Sequence, residues 1–287
     1  MVTKRNTHLY FILPALLLMV SILIVPFFFS IYITLFNVNL LEFGGAFRFA
    51  GLDNYKKFFV DPRVHNAFKV TFYYIAGILV SQTIIGIAIS MFLDRKFRFK
   101  SVYRALIIVP MFMTPVVSGL IWRTFYDPAH GISNWLLSLV KLPPVDWLGN
   151  ARVALASLIL VDIWQWVPFM VLLMMASLDT IPDELREASL VEGASELQTI
   201  FWIKIPLILP TILIAMVMRA IDAVKAFDII YVMTRGGPGV VTEIMNMYSY
   251  TVGFKYFRIG YATTIAFIFT LLVTFLLSKL LMKAQSI

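Results

Sequence analysis

The 287-residue chain contains no cysteine and little charge. The missing cysteine excludes disulfides, thiolate nucleophiles and cysteine-held metals, and says little about compartment. Charged residues make up only 14% of the chain, where a soluble domain carries about 25%. Apolar residues make up 60%, and the mean hydropathy is +0.87. No soluble core of this size hides so much apolar side chain, so a soluble enzyme, a disordered hub and a nucleic-acid binder are excluded. The pI near 9.6 does not rescue the last of these, because the basic residues mostly flank apolar runs, where they set topology. Histidine is also scarce. His8, His65 and His130 lie outside the apolar runs without a partner at ligand spacing, so no metal site is expected. No nucleotide-binding motif is present, and no ATP or Mg is expected on this chain.

What is there is a series of apolar runs. A membrane span needs about 20 such residues, and six stretches qualify: 9–36, 68–93, 102–125, 154–177, 203–233 (interrupted by charge) and 261–282. Hydrocarbon leaves backbone amides no partner but one another, so all six are expected to be helices. The predicted class is an all-α polytopic membrane protein. Lys4 and Arg5 precede an apolar run too long for a cleaved signal peptide, without a small-residue cleavage site behind it, and predict a first membrane helix. Pro14, Pro26, Pro110, Pro115, Pro168 and Pro210 fall inside spans and predict bends. Six spans place both termini on one side. The clearest basic cluster, Arg95, Lys96, Arg98, Lys100 and Arg104, lies in the tight connection after the second span and puts that side in the cytoplasm. On the other side, Gly51–Asn66 mixes Tyr55, Phe58 and Phe59 with Lys56 and Lys57, which suits a helix at the membrane interface. Asp127–Asn150, with Gly131, Pro143, Pro144, Trp135 and Trp147, is expected to fold back on the membrane surface.

The connection between the fourth and fifth spans departs from the charge trend. Between Asp179 and Lys204 it holds five acids and one base. Pro182, Asp183 and Glu184 fit the first turn of a helix. Gly193 should end that helix, and a second short helix should lead to Pro206. A helix–glycine–helix projecting from the membrane suits docking in a partner's groove.

Within it, Glu187-Ala188-Ser189, then Gly193-Ala194, then Ile203-Lys204-Ile205-Pro206 has the spacing of the signature loop of permease subunits of ATP-binding-cassette importers, with Ser189 and Ile205 as small departures. Phe227–Gly239, Gly51–Tyr55, Arg104 with Pro110, and Trp122–Gly131 resemble the carbohydrate-uptake branch, the maltose/glycerol-phosphate permease type. The resemblance covers nearly the whole chain. It implies the type I importer permease fold with 182–202 as a cytoplasmic coupling loop, in the inner membrane. It implies a second permease (a paralogue) around a shared pathway, two ATPase subunits carrying ATP and Mg, and an extracytoplasmic substrate-binding protein. ATP-driven closure of the ATPases would turn the permeases outward, and the binding protein would release its cargo into them.

Polar groups inside a span are costly and face a cavity or a partner. Asp162, Gln165, Trp166 and Phe169 fall at i, i+3, i+4 and i+7, one helical face. A carboxylate, an amide and two rings suit a sugar, whose hydroxyls take hydrogen bonds and whose apolar face packs on aromatics. Arg219, Asp222, Lys225 and Asp228 follow at three-residue spacing, with Arg219 about 24 Å along the fifth helix from Ile203 at 1.5 Å per residue. Two readings stand. Either Arg219–Asp222 and Lys225–Asp228 neutralise each other in a packed interface, or Arg219 and Asp222 line a cavity. The resemblance places the sugar site of maltose-type relatives at Asp162, Gln165, Trp166, Phe169, Arg219, Asp222, Ala223 and Ala226. The turn at Thr234–Gly239 is locally only a turn, and the resemblance makes Gly236, Gly237 and Pro238 an outer gate or a contact for the binding protein. Rival readings are a stand-alone secondary transporter using Asp162, Arg219, Asp222 and Lys225 as an ion relay, and an intramembrane enzyme using Asp162 and Asp222 as paired acids. Neither acid lies in a catalytic motif.

Overall fold

The computed structural model describes residues 7–41, 47–95 and 97–285. Lys4, Arg5 and Lys96, which entered the topology reading, lie outside the described residues. Those described are helical almost throughout, with one exception to the all-α expectation. Strands β1 (Phe36–Val38) and β2 (Phe47–Phe49) pair antiparallel, with Phe36 opposite Phe49.

Among the described residues five helices are long and apolar enough to cross a membrane, and a bent pair of helices makes six if it is counted as one span. The first span joins α1 (Thr7–Met19) to α2 (Val25–Thr34) through a π turn at Val20–Ile24. After the hairpin come α3 (Asp53–Val60) and α4 (Pro62–Asp94). The interfacial helix expected over Gly51–Asn66 is thus shorter. Pro62 opens the second span, because proline suits a first helical turn where its missing N–H costs nothing.

The third span is not the single helix expected. Helix α5 (Lys100–Ile108) tightens into a 3₁₀ turn at Val109–Phe112, and α6 (Pro115–Phe125) leaves at 100° to it. Thr114 accepts a hydrogen bond from the Val117 amide as N-cap, and Pro115 follows at the first turn. This is a helix start, which the apolar run conceals. By contrast α8 (Ala154–Leu178) runs unbroken through Pro168, as α1 does through Pro14. Between α6 and α8, α7 (Ile132–Leu139) is held by Asn134. Its amide bonds the carbonyls of Pro128 and Val145, and its oxygen takes the Val145 amide and Trp147 Nε1. Gly131 is required there, since a Cβ would lie 2.4 Å from the carbonyl oxygens of Phe125 and Asp127.

The fourth–fifth connection carries α9 (Asp183–Val191) and α10 (Glu196–Thr199). A π turn at Ile200–Lys204 leads into α11 (Ile205–Val224), which contains Pro210. The fifth span therefore ends at Val224, short of the expected 233. Asn246 Nδ2 takes the freed carbonyls of Val224 and Ala226, and Asp228 starts a separate helix, α12 (Asp228–Met233). Helix α13 (Met245–Tyr250) and a π turn at Thr251–Lys255 precede α14 (Ile259–Gln285).

These elements form two compact units. One comprises the described chain up to His65 with Tyr248–Leu272. There Asn54 Nδ2 bonds the carbonyls of Thr34 and Phe36, closing the end of the first span. Asp61 Oδ2 accepts the hydroxyls of Tyr248 at 2.7 Å and Tyr261 at 2.6 Å. Burial would raise the Asp61 carboxyl, but those hydroxyls and the amides of Arg63 and Val64 outweigh it and hold it below the usual carboxylate range. The other unit, Asn66–Met247 with the chain after Leu272, has an apolar core in which Met91, Met170, Met174, Leu178, Ile208, Ile212 and Ala215 pack together. This packing of α4, α8 and α11 carries the features described next.

Candidate functional site

Above that core, α8 and α11 turn polar residues towards α4. Asp162 is almost fully buried, and so is Arg219, at 2% exposure. Their side chains meet at 2.6 Å. Gln82 of α4 bridges them: its Nε2 donates to Asp162 Oδ1 at 2.7 Å and to the Asp162 carbonyl at 3.1 Å, and its Oε1 accepts Arg219 Nε at 2.9 Å. Tyr74, two turns earlier on α4, donates its hydroxyl to Asp162 Oδ2 at 2.9 Å. The Arg219 guanidinium also lies 5.0 Å from the ring centre of Trp166. A buried ion pair is tolerable only when hydrogen bonds support it, and here Gln82 and Tyr74 complete the bonding of the Asp162 carboxylate while Gln82 also takes Arg219 Nε.

The pairing differs from the one read along the fifth span. Arg219 is not paired with Asp222 along its own helix but with Asp162 across the bundle. Lys225 sits at the C-terminal cap of α11 and meets Asp222 at 4.0 Å, both side chains well exposed. Asp228 is not on the same helix as the other three charges. The paired-acid alternative loses Asp162, whose carboxylate is consumed by Arg219, Gln82 and Tyr74.

A cavity of about 230 Å³ opens beside this network, lined by Asp162, Trp166, Arg219 and Asp222 with Phe227 and Asp228 among others. Of the eight positions the resemblance marked for sugar, Asp162, Trp166, Arg219, Asp222, Ala223 and Ala226 line it. Gln165 and Phe169 do not. Gln165 is buried and donates to the Met113 carbonyl at 2.9 Å, at the break in the third span. Phe169 packs against the methionine core. Tyr74 and Gln82 went unnoticed in the sequence. Gln82 carries a signal that could have found it, an amide inside an otherwise apolar span.

The α9–α10 segment has its own logic. Gly193 adopts φ +79°, the left-handed conformation that ends helices and favours glycine. The Ala194 amide reaches back to the Ser189 carbonyl at 2.9 Å, the six-residue closure that accompanies such an end. Ser195 then starts α10 with a reciprocal cap, Ser195 with Gln198, which satisfies two free amides at once. The Ser189 and Thr199 hydroxyls meet at 3.1 Å and tie the two helices. Arg95 with Glu196 at 2.7 Å and Lys204 with Asp94 at 2.6 Å fasten the segment to the end of α4. Glu187 and Ala188 are exposed. So are large apolar side chains, Val191 at 88% and Leu197 at 67%, a surface that calls for a partner.

The turn after α12 is closed within itself. Thr242 Oγ1 donates to the Gly237 carbonyl at 2.7 Å, and the Gly237 amide donates to the Thr234 carbonyl. Gly236 has φ +89°, and the peptide bond to Pro238 is cis.

Residues 82–286 match the family model described as binding-protein-dependent transport system inner membrane component. The probable ABC transporter permease y4oQ of Sinorhizobium fredii is 34% identical over 94% of this chain and 87% of its own. The trehalose/maltose transport system permease MalF of Thermococcus litoralis is 32% identical over 87% and 82%, and the sulfoquinovosyl glycerol permease SmoG of Agrobacterium fabrum is 30% identical over 88% and 82%. Among solved structures, a chain of a bacterial ABC transporter involved in importing the acidic polysaccharide alginate superposes with a TM-score of 0.84 over 99% of this chain and 97% of that one, at 21% identity. The chain thus belongs to the inner-membrane components of binding-protein-dependent transport systems: it is a multi-pass permease subunit of an ABC importer.

Proposed function

We propose that this permease forms half of the pathway of an ATP-driven sugar importer, with the cavity between α8, α11 and α12 as its sugar site. The carrying observation is one continuous pair of helices. Helices α8 and α11 hold the buried network and line the cavity, and the segment joining them is the exposed α9–Gly193–α10 loop. A push on that loop reaches the cavity through rigid elements. The sugar-importing relatives support the substrate class, and the resemblance of Glu187, Ala188, Ser189, Gly193 and Ala194 to the coupling signature supports the loop's role. Its groove-bearing partner is an ATPase subunit, which holds ATP and Mg and performs the hydrolysis. A paralogous permease completes the pathway and two ATPases complete the cytoplasmic side. An extracytoplasmic binding protein delivers cargo near the Gly236–Gly237–Pro238 turn, which acts as outer gate. Both termini are cytoplasmic, and lipid covers the outward apolar faces. Trp166 offers a ring face, and Asp222 accepts hydroxyls.

The test is uptake by proteoliposomes holding the assembled importer, with the binding protein outside. Uptake should need internal ATP and survive collapse of ion gradients. Trp166→Ala and Asp222→Ala should each lower it at least tenfold with assembly intact. Uptake driven by an ion gradient without ATP would restore the secondary-transporter reading, and unchanged uptake in both variants would move the sugar site to the partner permease.

A further inference from the structure

We infer that the cavity admits uncharged sugars and rejects acidic ones. This rests on the proposed sugar site and adds its charge class. From sequence, Arg219 is the residue that keeps an anionic sugar open, because guanidinium groups bind carboxylates and sulfonates in paired hydrogen bonds. In the fold the Nε–Nη2 edge of that guanidinium is already taken, by Asp162 and Gln82 at 2.6 and 2.9 Å. One face lies over Trp166, and the residue is 2% exposed. Drawing it to an incoming anion would strand the Asp162 carboxylate, buried and without its cation, which costs far more than a new surface contact returns.

The remaining charges point the same way. The cavity lining holds three carboxylates, Asp162, Asp222 and Asp228, against two cations, Arg219 and Lys225. Lys225 is engaged by Asp222, and its side chain is 71% exposed, where water screens it. Asp228 is exposed at the start of α12 and has no ion-pair partner among the described residues. An acidic sugar entering this space sheds hydration and meets a surplus of its own sign. An uncharged sugar meets acceptors for its hydroxyls in Asp222 and Asp228, and ring surface in Trp166 and Phe227. The alginate importer shares the fold, so on this inference charge preference is set by the cavity residues and not by the architecture.

The experiment uses the assembled importer in lipid nanodiscs and reads tryptophan fluorescence, with the Trp166→Phe assembly subtracted. The probes are pairs that differ only by oxidation of C6 to a carboxylate: glucose against glucuronate, galactose against galacturonate, maltose against its 6′-uronate, and trehalose against its 6-uronate. The expected result is a saturable Trp166-dependent signal from at least one uncharged sugar and half-saturation at least tenfold higher for its acidic counterpart. Asp228→Asn, at an exposed site, should narrow that gap several-fold. Equal or stronger binding of an acidic member overturns the charge inference and leaves the sugar site standing. No saturable signal from any probe overturns the sugar site and the inference with it.

Discussion

The Asp162–Arg219 network and the α9–α10 loop are both built from polar residues flanking apolar helices, yet they are closed in opposite ways. In the network every partner comes from another part of the chain. Arg219 is 57 residues from Asp162, and Gln82 is 80 residues from it. The charges are buried and answer to one another. In the loop the closing bonds are local: Ala194 to Ser189, Ser195 with Gln198, Ser189 with Thr199. There the apolar side chains stay outside. A closed polar network stabilises packing and shapes the cavity beside it, whereas a locally folded loop with apolar residues outward holds its shape while waiting for another protein.

Substitutions should separate the two. The largest loss is expected for Asp162→Ala, which leaves Arg219 buried and unpaired, about 3–5 kcal/mol. Intrinsic-fluorescence melting in detergent would measure it, and Asp162→Leu combined with Arg219→Met should recover most of the loss. A melting curve unchanged by Asp162→Ala would mean that the network does not hold the helices. Next comes Gly193→Val. A β-branched residue in the left-handed conformation is strained by about 1–2 kcal/mol, felt only in the loop. The melting point should barely move, while ATP-dependent uptake collapses. Ser195→Ala removes one cap, about 1 kcal/mol, and should speed amide exchange at Glu196–Thr199 without altering α8 or α11. The smallest effect is expected for Arg95→Ala. Its pair with Glu196 is about half exposed on both sides, so the loss should stay under about 1 kcal/mol; a larger one would make the loop's anchorage resemble the network.

The same contrast explains what the sequence discloses. Loop geometry was legible, because Pro182 and Gly193 act within a few residues of themselves. The spans were legible as apolar runs, but their interruptions were not. Thr114-Pro115 carries a helix-start signal that the surrounding hydrophobicity masks, and the three-residue spacing of charges from Arg219 to Asp228 continues across a real break after Val224. The polar residues of α8 and α11 were identifiable as intramembrane cost, but their partners were not. Pairing Arg219 with Asp222 uses only helical spacing, whereas pairing it with Asp162 requires knowing how α8 and α11 pack. Gln165 and Phe169 share the helical face of Asp162 in projection, yet the bend at Pro115 draws Gln165 to the Met113 carbonyl, and the methionine core takes Phe169.

The central claim is that the α9–Gly193–α10 loop joins this membrane chain to an ATPase. It is tested most directly by affinity purification of the tagged chain from mild detergent, wild type beside Gly193→Trp, with mass spectrometry of what accompanies each. Among the described residues a Cβ at Gly193 meets no atom within 4 Å beyond its chain neighbours, so the variant perturbs the loop's conformation and its outer face and spares the core. The expected result is an ATPase subunit and a second permease with the wild type, and the permease without the ATPase in the variant. Wild type recovered alone, or an ATPase retained by the variant as fully as by the wild type, would contradict the claim.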